Sequence, residues 1–117
     1  MSLASTSSVR YAFQFYDNAE FLERFQSLVG SDATPIVRAT QTAAPVNQSS
    51  DGRFVVAPGC MPHNCTDEAG LLVVDRQTSS VYVAYKPDGR PIKVYPAVGA
   101  WPSSARQALK TWAAPWS

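Results

Sequence analysis

Reactive side chains are scarce in this chain. Its 117 residues include 2 cysteines, 1 histidine and only 16% charged side chains. The net charge is +1 with both signs interspersed, so no basic face marks a nucleic-acid binder. No apolar run approaches the ~20 residues that cross a bilayer, and no membrane partner is expected. The start, "MSLASTSS", lacks the basic-then-apolar order of a signal peptide. Residues 1–10 are expected to be a disordered leader with an expression-derived start, before a single domain over 11–117. A natural targeting sequence is expected to have preceded that start. No motif marks a pair of carboxylates set across a cleft, and no enzyme is expected.

What is present suits one folded domain. The apolar fraction of 45% supplies one core and argues against a disordered chain. In "DNAEFLERFQSLVG", Asp17 and Glu20 form a capping-box pattern, and Phe21, Phe25, Leu28 and Val29 recur at helical spacing up to Gly30. "PIVRATQ" reads as an edge strand. "GRFVVAPGC", "GLLVVD", "SVYVAY" and "PIKVYPAV" read as consecutive strands, the last pair joined by the tight turn "KPDGR". "PSSARQALKTW" offers a second helix, capped by Ser103 or Ser104, with an apolar stripe of Ala105, Ala108, Leu109 and Trp112. The expected fold is α+β: an antiparallel sheet of about five strands, covered on one face by an N-terminal and a C-terminal helix. Tyr82, Tyr85, Tyr95, Trp101 and Trp112 read as core and sheet-face residues, with Trp116 partly exposed.

All the reactive side chains meet in "GCMPHNCTD", residues 59–67. Cys60, His63 and Cys65, with Asp67 as a fourth ligand, are a candidate zinc set. Structural zinc sites draw their ligands from two separated segments, and here every candidate lies between 60 and 67. A redox or nucleophilic use of the same residues fares no better, because Cys-x4-Cys is not the redox spacing and a Cys–His pair needs partners from different parts of a fold. A disulfide between Cys60 and Cys65 is the third reading, and it implies an oxidising compartment. Closing so small a loop stabilises the fold by only about 2 kcal/mol in the chain-entropy model. Its effect falls on loop shape, which Pro62 stiffens further. That loop either tidies a β-connection or presents His63 to a partner.

The segment "CMPHNC" resembles the Cys-Lys-Pro-His-Asp-Cys loop of the Ivy family, periplasmic inhibitors of vertebrate-type lysozyme. The order of flanking elements, from Glu20 to Tyr85, is similar too. The resemblance implies a protruding disulfide-closed loop in which Met61, Pro62, His63 and Asn64 bind the target. His63 would meet the two catalytic carboxylates of a c-type lysozyme or related peptidoglycan-cleaving enzyme, with no cofactor and no metal. It also implies a periplasmic location. Met61 and Asn64 stand where the family loop has Lys and Asp, and the loss of the acid weakens attraction to a basic lysozyme. An immunity or binding protein directed at a lytic transglycosylase or lysozyme-like effector, and a homodimer, are the remaining partner readings.

Overall fold

The computed structural model describes residues 9–116. Most of the expected leader therefore lies outside the described residues; Val9 packs against the core, and the Arg10 carbonyl accepts from Val46 N at 2.8 Å. The chain then forms a 3-10 turn over Ala12–Asp17 that buries Ala12 and Phe15. Gln14 Oε1 accepts from Arg10 N and Tyr11 N and so closes the entry to this turn.

Helix α1 spans Ala19–Val29. Its cap is Asn18 rather than the expected Asp17, because Asp17 is still inside the preceding 3-10 turn. Asn18 is the first extended residue, and its Oδ1 accepts from Phe21 N at 3.0 Å. Glu20 then lies in the first helical turn, where it faces Arg24 at 3.7 Å. Gly30 ends the helix at φ 56°, as expected of a glycine stop.

The segment expected as an edge strand is instead helix α2, Ala33–Arg38. Pro35 falls in the first turn, where no intrahelical donor is lost. Ile36 is fully buried against the core, so packing outweighs the β preference of Ile36 and Val37. The edge strand comes later, in two short pieces: β1 (Thr42–Ala43) and β2 (Asn47–Gln48). Both pair with β3 (Phe54–Cys60), and Pro45, which cannot donate, falls between them.

β3 pairs with β4 (Ala69–Asp75) residue for residue, from Phe54 opposite Asp75 to Cys60 opposite Ala69. β4 pairs with β5 (Ser80–Lys86), and β5 with β6 (Lys93–Tyr95). The whole sheet is antiparallel, in the order β1-β3-β4-β5-β6 with β2 also on β3. Helix α3, Ser103–Ala113, follows. Its cap position is Pro102, with no side-chain cap, and Ser103 is already helical; the ring of Pro102 fixes φ at −58° and presets the extended entry.

The α+β class, the antiparallel sheet and the two main helices are as expected, but the helices sit on opposite faces. Val55, Ala57, Leu72, Val74, Val81, Val83 and Tyr85 point to one side, where they pack with Phe15, Phe21, Phe25 and Ile36. Phe54, Leu71, Val73, Tyr82 and Ala84 point to the other, where Trp101, Ala105 and Leu109 cover them. Alternation along each strand feeds two cores. Every residue of β4 is buried as a result.

Candidate functional site

The register of β3 and β4 places the cysteine loop at one end of the sheet. Cys60 and Ala69 are the last ladder pair, and Met61 N extends the ladder by donating to Glu68 O at 2.9 Å. Residues 62–67 lie beyond it. Cys60 and Cys65 are joined in a disulfide. Both thiols are consumed by that bond, and among the described residues no group of three His, Cys, Asp or Glu side chains could hold a metal ion. The zinc and nucleophilic readings of Cys60, His63, Cys65 and Asp67 therefore lose their thiolates, while the redox reading retains only its unfavourable Cys-x4-Cys spacing.

Inside the staple the chain makes a β-turn over 61–64, closed by Asn64 N donating to Met61 O at 3.0 Å. Pro62 supplies the fixed φ at the second position, and His63 takes φ 66° at the third. That third position is usually Gly or Asn; histidine tolerates the left-handed region better than most residues. Pro62 and His63 are exposed, while Met61 and Asn64 are half-buried at the base of the turn. A second turn follows at once, with Asp67 N and Glu68 N both donating to Asn64 O at 3.1 and 3.0 Å. The sole imidazole of the chain is thus the exposed apex of two consecutive, hydrogen-bonded turns.

Side chains from elsewhere brace this loop, and sequence reasoning identified none of them as parts of the site. Asn64 Nδ2 donates to Asp88 Oδ2 at 3.2 Å, linking the loop to the "KPDGR" turn that was expected to be only a solvated tip. Lys86 Nζ donates to the carbonyls of Asp67 and Pro87 at 3.2 and 2.7 Å. Trp116 Nε1 donates to Thr66 O at 2.8 Å, and its ring meets Trp112 edge-on at 5.0 Å. Tyr85 OH donates to Glu68 Oε2 at 2.8 Å. Burial, and then that acidic partner, push the Tyr85 phenol up to about 12. The one available signal was the Pro-Asp-Gly sequence, which fixes a turn next to the loop but not its contact.

The two-faced antiparallel sheet thus carries at one end an exposed, disulfide-closed turn. The chain matches the family described as inhibitor of vertebrate lysozyme (Ivy) over residues 20–115. It belongs to that family. It is also 32% identical over 100 residues to the uncharacterized protein y4bG of Sinorhizobium fredii. That match covers 85% of this chain and 36% of the relative, so the chain spans about a third of the relative's length. No solved structure matches it. No described helix is long and apolar enough to cross a membrane.

Proposed function

We propose that this chain is a periplasmic inhibitor of a lysozyme-type muramidase, acting by insertion of the 61–64 turn into the enzyme's cleft. His63 meets the two catalytic carboxylates, with Met61, Pro62 and Asn64 packing against the cleft walls. Membership of the lysozyme-inhibitor family supports the target class. The observation that carries the mechanism is the exposed His63 at the apex of a disulfide-closed turn. A lysozyme-type site pairs a carboxylic acid of raised pKa with an ionised carboxylate. A neutral imidazole can donate to the ionised carboxylate and accept from the protonated one, and an imidazolium can donate to both. The turn is ordered before binding, so little conformational entropy is lost on association.

The test is peptidoglycan hydrolysis by c-type, g-type and bacterial muramidases, and by lytic transglycosylases, with and without the purified oxidised protein. Inhibition of one lysozyme-type enzyme, lost on reduction of the disulfide, is the expected result. Absence of inhibition across the panel rejects the reading, and inhibition confined to lytic transglycosylases moves the target to that class.

A further inference from the structure

We propose that Asp88 and Trp116 are positioning residues for the His63 turn, fixing the direction in which it leaves the sheet; this rests on the inhibitory reading above. The staple sets how far Cys65 lies from Cys60, but bonds on either side of a disulfide still rotate. The heading of the tip must come from contacts outside the loop. Two such contacts flank Cys65. On one side the Asn64 amide donates to Asp88, and on the other the Thr66 carbonyl accepts from Trp116.

Each bracket is tied back to the rigid part of the molecule. Asp88 sits in a turn closed by Arg90 N donating to Pro87 O, and Lys86 Nζ bridges Pro87 O and Asp67 O. Trp116 rests on Trp112, which packs against the core under α3. The tip therefore inherits its direction from the β5–β6 hairpin and from the C-terminal turn. Trp116 lies one residue beyond the stretch 20–115 that matches the family. The Asn64 amide is the donor to the Asp88 carboxylate, a role that an ionised carboxylate at position 64 could not fill.

Three variants separate this from a general structural role. Trp116→Phe keeps an aromatic ring, smaller than the indole, and removes the donor; Asp88→Ala removes the acceptor; Asp88→Asn keeps an acceptor oxygen and removes the charge. Amide exchange is read at Asp67 and Glu68, whose N–H groups close the second turn. Trp116→Phe and Asp88→Ala should speed exchange there by about three- to tenfold, the equivalent of one net hydrogen bond, with melting temperature unchanged. Asp88→Asn should restore wild-type exchange. In the inhibition assay the first two should weaken binding by a similar factor and the third should not. Unchanged exchange in Trp116→Phe and Asp88→Ala overturns the proposal, as does a fall in melting temperature that accounts for the faster exchange. Because exchange needs no target, it decides the proposal even where the wild type inhibits no muramidase, an outcome that rejects only the inhibitory reading.

Discussion

Gly59 and Gly70 face one another across β3 and β4, and Thr40 lies over the bare patch they leave. A Cβ on Gly59 would come within 2.8 Å of Thr40 Cα, and one on Gly70 within 2.7 Å of Thr40 Cγ2. Thr40 cannot yield easily. It is fully buried, and its hydroxyl lies within hydrogen-bonding distance of the Ile36 and Val37 carbonyls and the Tyr16 hydroxyl. The close approach seats the end of α2 on the sheet directly beside Cys60. Gly59→Ala and Gly70→Ala should each destabilise the fold by about 1–3 kcal/mol, as overpacking does. Thermal unfolding checks this, with Gly99→Ala, which meets nothing within 4 Å, as the neutral control.

Acid should weaken the fold through Asp75. Burial alone would raise this carboxyl, but bonds from Arg53, Thr78 and Gln77 together outweigh it and hold the group below its ordinary value. A depressed folded pKa means that the stabilisation is complete above the usual carboxylate value, about 3.9, and is lost as pH falls through the folded one. Asp75→Asn should cost about 1–3 kcal/mol at neutral pH, the loss of a charged hydrogen-bond partner, and flatten the acid limb of a stability-versus-pH curve. An acid limb of unchanged slope would contradict the assignment.

The alkaline side belongs to the tyrosines. Burial lifts Tyr16, Tyr85 and Tyr95 to about 12, and acidic partners add to the effect at Tyr85 (Glu68) and Tyr95 (Asp32). Their folded pKa is raised, so the stability they contribute is present below the unfolded value near 10 and disappears as pH climbs towards 12. Absorbance at the phenolate band should show Tyr16, Tyr85 and Tyr95 ionising late, together with unfolding. A titration complete by about pH 11 would count against it.

Asn64→Asp tests the loop's electrostatics. It would set a second carboxylate about 3.2 Å from Asp88. Like charges at that distance cannot both ionise without cost, so one of the pair should titrate high. The loop amides should exchange faster than wild type at neutral pH and recover as pH falls below about 5, when the pair shares a proton. Adding Asp88→Asn should restore protection at neutral pH.

How far the sequence reveals this arrangement depends on the range of the interactions. The three seven-residue strands and the short last one were legible because β-branched runs and turn residues are local signals. The staple and the Pro-His turn were legible for the same reason, since every part lies between 60 and 65. The placement of the helices on two faces was missed, since both were expected on one, although the apolar run "GLLVV" of β4 carries it: a sheet with one wet face would have interrupted that run. By contrast, helix α2 carries β-branched residues and is helical because Ile36 finds the core, which no local pattern announces. The braces on the loop were invisible for a similar reason: Asp88 and Trp116 act across 24 and 50 residues of chain.

The central claim is that the His63 imidazole is the inhibitory group, and the direct measurement is the inhibition constant of His63→Gly against that of the wild type on the same muramidase. Glycine takes φ 66° without strain, so the turn keeps its shape while the imidazole is removed. Amide exchange at Asn64, Asp67 and Glu68 verifies that it does. The account predicts inhibition about thirtyfold weaker or worse, the loss of a binding hot spot. Equal inhibition by an equally ordered His63→Gly turn would contradict it.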